Sequence, residues 1–139
     1  MNRPGVLLDT GPLVALVSKR DGKHERARRL FAICEPPLRT CESVIAEACF
    51  LLRAVDADGP AETIALGRKG LYTIALSLED HWVEVEALLK KYKNRPISLA
   101  DACLIRCAGV YDEPRILTFD PDFAIYRWAR NKTFLRLHS

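Results

Sequence analysis

A chain of 139 residues, 49% hydrophobic and carrying 21 basic against 18 acidic side chains, suffices for one compact domain over residues 1–139 and leaves no room for a second. A formal charge of +3 leans only slightly toward a polyanionic partner, and five cysteines without paired C-x-x-C spacing argue against a disulfide framework or a structural zinc site. No run is apolar for long enough to cross a bilayer, and the first residues lack signal-peptide architecture, so a cytoplasmic protein is expected.

Val6 to Leu8 is a short all-apolar run ending in Asp9-Thr10-Gly11-Pro12, the form of a buried parallel strand with an acid at its carboxyl end. Pro12 opens a helical turn through Leu13 to Val17. Lys23 to Cys34 predicts a basic amphipathic helix, with Ala27, Leu30, Phe31 and Cys34 on one stripe, and Pro36-Pro37 stops it. Leu38 to Thr40 predicts a second strand, after which Ser43 is expected to cap a helix from Val44 to Val55. Beyond the loop Asp56 to Pro60, the pattern predicts a helix over Ala61 to Lys69 and a strand over Tyr72 to Leu76. A further helix begins at Ser77 or Leu78 and covers Glu79 to Tyr92. Ser98 is placed to cap a helix from Leu99 to Val110. Arg115 to Thr118 reads as a strand, Pro121 to Trp128 as a short helical segment, and Thr133 to Leu137 as a last strand.

Short apolar strands alternating with helices imply an α/β fold, a parallel sheet covered on both faces. Cys103 and Cys107, one helical turn apart on an apolar face, read as buried small hydrophobes. His24 and His81 read as exposed helix positions, and His138 has no partner pattern.

Four carboxylates stand inside or directly after apolar runs: Asp9, Glu47, Asp101 and Asp120. An isolated buried carboxylate costs several kcal/mol, roughly, unless it is paired, protonated or bound to a metal. Each also has a structural explanation. Asp9 could cap the helix that follows it, and Asp101 completes a capping-box variant with Ser98. Asp120 and Asp122 flank Pro121 and could start a turn. Glu47 could be an exposed helix former, the weakest of these explanations because Val44 to Leu52 offers it almost no polar face. Needing all four explanations at once favours one shared cation site. Open α/β sheets place ligands beyond the carboxyl ends of their strands, where Asp9 and Asp120 fall, and helix amino ends, where Glu47 and Asp101 are expected, favour negative charge.

The segments Leu7-Leu8-Asp9-Thr10-Gly11-Pro12-Leu13, Ser43-Val44-Ile45-Ala46-Glu47, Ser98-Leu99-Ala100-Asp101-Ala102 and Leu117-Thr118-Phe119-Asp120-Pro121-Asp122-Phe123 resemble, in order and spacing, the four acidic motifs of PIN-domain ribonucleases, with the VapC-like toxins nearest. The resemblance implies a three-layer α/β/α fold with a short parallel central sheet, a Mg2+ or Mn2+ site formed by Asp9, Glu47, Asp101 and Asp120, and endonucleolytic cleavage of RNA. Thr10 and Thr118 would be supporting hydroxyls, while the role of Asp122 stays open. A cognate antitoxin and a homodimer are the implied partners, with Leu66, Leu71, Trp82 and Leu89 possible contributors to the dimer or simply core.

Hard divalent ions prefer oxygen ligands, which suits these carboxylates and leaves the cysteines aside. With the acids in one cleft, the rest of the surface is net basic, through groups such as Arg26-Arg28-Arg29, Arg68-Lys69, Lys90-Lys91-Lys93-Arg95 and Arg127-Arg130-Lys132-Arg136. Three other readings fit parts of the sequence. The Asp9-Thr10-Gly11 triplet also suits an aspartic protease, but that fold is nearly all β with a Gly-rich flap. A haloacid-dehalogenase-type phosphatase wants a second acid where Gly11 stands. A silent RNA-binding protein could keep both fold and acids without turnover.

Overall fold

The run Val6-Leu7-Leu8 is completely buried and supplies the central strand of a five-stranded sheet. A computed structural model describes residues 3–137; His138 lies outside them. The strands of this sheet are β1 (Leu7–Leu8), β2 (Leu38–Thr40), β3 (Tyr72–Ile74), β4 (Arg115–Leu117) and a last strand, β7 (Leu135–Leu137), in the order β3-β2-β1-β4-β7. Every pair is parallel, with Leu7 opposite both Arg39 and Ile116, and Leu8 opposite Leu117. Such strands, covered on both faces, have no need of alternation, which is why they read as apolar runs.

The helices are α1 (Thr10–Val17), α2 (His24–Ala32), α3 (Glu42–Leu52), α4 (Gly59–Arg68), α5 (Trp82–Lys91) and α6 (Leu99–Tyr111). The chain moves outward from β1 to β2 to β3 and then returns past β1 to β4. Right-handed crossovers therefore put α1 to α4 on one face and α5 and α6 on the other, giving three layers. The packing agrees, since α1, α3 and α4 touch one another, α2 lies on α1, and α5 lies on α6. Helix α6 is buried on nearly every side, its Ala100, Ala102, Cys103, Cys107 and Ala108 small enough to let it sit against both β1 and α3.

Several boundaries differ from the sequence expectation. Cys41, with extended backbone (φ −134°, ψ 161°), is the residue before α3, so that helix starts two residues earlier than a Ser43 cap implies and ends at Leu52 rather than Val55. The helix expected from Ser77 begins as a 3-10 turn (Leu78–His81), and Pro121–Ala124 is another. Arg127–Trp128 (β5) is not helical: it pairs antiparallel with Lys132–Thr133 (β6), which therefore leaves the last strand to begin at Leu135. The Trp128 indole N–H locks this small hairpin by donating to Thr133 O at 2.9 Å. His24 and His81 are half-buried rather than exposed: His24 Nδ1 lies 2.7 Å from Ala15 O, and Arg106 Nε donates to His81 Nδ1.

At the amino end of the sheet, Arg115 grips Glu113 with two charge-assisted bonds, of 2.8 and 2.7 Å, while its guanidinium also donates to Arg3 O and Pro4 O. Both side chains are almost fully buried. Removing one member of a buried pair strands the other, so Arg115→Met should destabilise the protein by about 3–5 kcal/mol, whereas Glu113→Leu/Arg115→Met should recover most of that loss. Urea unfolding of the two variants decides it: equal losses would show that the pair is not the determinant.

Candidate active site

In this strand order the direction in which the chain adds strands reverses between β1 and β4, and open α/β sheets place their ligand crevice beyond the carboxyl ends of the strands at such a switch point. Asp9 leaves β1 there and caps α1, its Oδ1 accepting the Thr10 N–H at 2.8 Å. Its Oδ2 accepts the Thr118 hydroxyl at 2.6 Å across the gap between the strands. That same hydroxyl accepts the Asp120 N–H at 2.9 Å, so one threonine ties two acids together. Asp120 in turn caps the 3-10 turn through the Asp122 N–H.

Asp101 arrives from the other side, in the first turn of α6. The capping box is present in full: Asp101 N–H donates to Ser98 Oγ at 3.0 Å, and Ser98 N–H donates to Asp101 Oδ2 at 3.3 Å. The Tyr126 hydroxyl adds a further bond to the same oxygen. Tyr126 is completely buried and braced edge-on by Tyr92 and Phe123 at 5.0 and 5.1 Å. Sequence reading missed it, because a tyrosine among apolar residues gives no sign of what its hydroxyl meets.

Asp9 and Asp101 are 6% and 8% exposed. Burial pushes Asp9 up to about 7, and repulsion from Asp101 and Asp120 adds to this against the bonds from Thr118 and Thr10. Burial also raises Asp101, with Asp120 repelling it. Asp101 and Asp120 both act on Asp9, and Asp120 acts on Asp101, so the three share one electrostatic locus. Neither Asp9 nor Asp101 forms an ion pair among the described residues. Arg95 reaches Asp122 at 3.5 Å, which gives Asp122 a cation of its own.

Glu47 differs from Asp9 and Asp101 in its exposure. It is exposed in the second turn of α3, beyond the first turn where a helix dipole acts most strongly, and the exposed helix position set aside on sequence grounds is the one it occupies. Phe50, 61% exposed, and Leu51 share the solvent with it, so apolar neighbours did not imply burial. Helix α3 nonetheless packs against both α1 and α6, the helices that begin at Asp9 and Ser98.

Do these residues suit a divalent cation? The donors are hard oxygens, two carboxylates are buried without a counter-charge, and the buried Thr10 hydroxyl beside Asp9 has no hydrogen-bond partner. Among the described residues, no three His, Cys, Asp or Glu side chains close on a single point. An open acidic rim of this kind suits an ion that keeps several of its waters, as Mg2+ does.

A three-layer α/β/α protein with an acidic crevice at its switch point is thereby defined. The chain belongs to the PIN domain family, whose model matches residues 6–129. Among solved structures, that of Mycobacterium tuberculosis VapC20, a sarcin-ricin loop cleaving toxin, is similar with a TM-score of 0.78 at 21% identity, over 92% of this chain and 99% of that one; the two share the fold. No curated protein matches. No helix among the described residues is long and apolar enough to cross a membrane.

The folded-state pKa of Asp9 lies above its unfolded value, so the native state binds the extra proton. Stability from this group is fully present below about pH 4 and is lost as pH rises through about 7. In EDTA-treated protein, urea unfolding should show stability falling across that window by up to about 1.4 kcal/mol per pH unit, and Asp9→Asn should flatten the curve. An undiminished slope in the Asn variant would assign the proton to another group.

Proposed function

We propose that this chain is a metal-dependent endoribonuclease that hydrolyses phosphodiester bonds in structured RNA, as the toxin of a toxin-antitoxin pair. The observation that carries the reading is a pair of buried carboxylates, Asp9 and Asp101, without any cation, facing Asp120 at the switch point of a PIN fold. Asp9, Asp101 and Asp120 would hold Mg2+ or Mn2+, with Glu47 the fourth acid from α3. A bound ion of this kind neutralises charge developing on the phosphate and acidifies a bound water.

The chain's own contribution is positioning. Thr118 and the Thr10 N–H each occupy one lone pair of Asp9, fixing the carboxylate and leaving further acceptor capacity on both oxygens. Ser98 and Tyr126 converge on Asp101 Oδ2 and leave Oδ1 for the crevice. With water as the nucleophile, products would carry a 5′ phosphate and a 3′ hydroxyl. The similar VapC20 is described as cleaving the sarcin-ricin loop, which makes that hairpin the first substrate to try. A cognate antitoxin protein covering the acidic crevice, a homodimeric assembly and a cytoplasmic location complete the reading.

Purified protein incubated with total RNA and with the sarcin-ricin hairpin should cut a few structured sites in Mg2+ or Mn2+ and none in EDTA. Asp9→Asn, Asp101→Asn and Asp120→Asn should each lower the rate by at least about 100-fold, the loss expected when several kcal/mol of charge stabilisation disappears. Retardation of the hairpin on a gel without any cutting would instead mark a silent binder, and cleavage indifferent to chelator would remove the metal mechanism. Thr118→Val keeps the shape but loses the bond that orients Asp9. It should cost roughly 10–100-fold in activity, recovered in part by raising Mn2+, as is typical for groups that orient a ligand. A loss that Mn2+ does not touch would point to general damage to the fold.

A further inference from the structure

Beside the acids lies a cluster of opposite sign. Lys23 Nζ stands 4.9 Å and the Arg26 guanidinium carbon 5.0 Å from the centroid of one ring, Phe119. Each cation is attracted by the ring quadrupole, yet the two repel each other. Both belong to the amino end of α2, the end of a helix where positive charge is least favoured. The acids of that segment are engaged elsewhere: Glu25 pairs with Arg28 at 3.4 Å, and the Asp21 carboxylate accepts the Lys23 backbone N–H at 2.8 Å. Neither Lys23 nor Arg26 forms an ion pair among the described residues. The cluster thus has two gathered cations and no anion.

Its place in the fold gives this meaning. Phe119 stands between Thr118, whose hydroxyl is bonded to Asp9, and Asp120, and Gly11 of α1 lies against its ring. A carboxylate-lined crevice repels a phosphodiester chain, so the strand has to be held from its flanks. We infer that Lys23 and Arg26, presented on Phe119, form a subsite for an RNA backbone phosphate next to the one cleaved at the acids. The inference rests on the nuclease reading and specifies from which side the strand is held. Contacts of this kind set register rather than sequence preference.

The test uses the full chain carrying Asp9→Asn, fluorescein-labelled sarcin-ricin hairpin and anisotropy titrations from about 50 to 300 mM salt. Lys23→Ala/Arg26→Ala should weaken binding about tenfold or more and reduce the slope of log affinity against log salt by about 1–2, one increment per lost phosphate contact. Phe119→Leu keeps both charges and the apolar body but removes the quadrupole; it should weaken binding severalfold with a smaller change of slope. Lys90→Ala/Lys91→Ala on α5 should leave the slope unchanged. An unaltered affinity and slope in the Lys23/Arg26 variant overturns the subsite, as does a hairpin that the protein does not bind at all. The two readings separate in protein that retains Asp9, assayed with Mg2+ or Mn2+: Lys23/Arg26-dependent binding without cutting keeps the subsite and ends the nuclease reading. Cutting at an unchanged rate in the double variant does the reverse.

Discussion

The hydroxyl of Thr118 is where the rim of this molecule is fixed. A hydroxyl has one proton to give and lone pairs to receive, and Thr118 uses both, donating to Asp9 and accepting from the Asp120 backbone. Parallel pairing makes this possible: Leu8 stands opposite Leu117, so the next residues along, Asp9 and Thr118, emerge side by side at the switch point. The strands need be only two or three residues long, because their task is to set this register. A slip of one residue would turn Thr118 away and leave a buried carboxylate without its strongest side-chain donor.

Burial of an acid does not by itself mark a site, and this chain contains the control. Glu113 is the least exposed carboxylate side chain among the described residues, yet it lies at the amino end of the sheet and is closed off by Arg115. Burial alone would push Glu113 up; the hydrogen bonds and charge of Arg115 hold it below the usual carboxylate range. Asp9 and Asp101 have hydroxyls and amides but no counter-charge, and both are displaced the other way. One pole of the sheet is electrostatically complete and the other is left wanting a cation, an arrangement that costs stability where proteins typically hold functional groups.

Much of this was legible in the residues, for reasons that can be given one by one. Ser98 and Asp101 carry their structure in their spacing, since a capping box is a local device and α6 begins where that device requires. Val6-Leu7-Leu8 read as a buried parallel strand because a doubly covered strand tolerates continuous apolar sequence, and Arg115 to Thr118 read as a strand around Ile116-Leu117. The hairpin of Arg127-Trp128 with Lys132-Thr133 was illegible, being two residues a side, polar and without period. Cys41 took the cap position from Ser43 because β2 ends one residue before it and the chain has to turn at once. The pairing of Arg115 with Glu113 had no signal in the sequence, and only tertiary structure shows that each buries the other. The exposure of Glu47 was illegible for a different reason: apolar neighbours suggested a buried face, while Phe50 and Leu51 are themselves exposed in this chain.

The segment Thr118-Phe119-Asp120 finally explains how opposite charges coexist at one rim. Leaving β4, the backbone stays extended, with Asp120 at φ −87° and ψ 117°, and successive side chains of an extended chain point to opposite sides. Thr118 and Asp120 therefore serve the crevice, while Phe119 turns toward α1 and α2 and gathers Lys23 and Arg26. Had those cations been able to reach Asp9, they would have done for it what Arg115 does for Glu113 and supplied the counter-charge it lacks. An aromatic ring attracts a cation without presenting a formal charge that could neutralise it. Phe119 can therefore hold positive charge beside the acids without pairing it to them, and both polarities stay available at one rim.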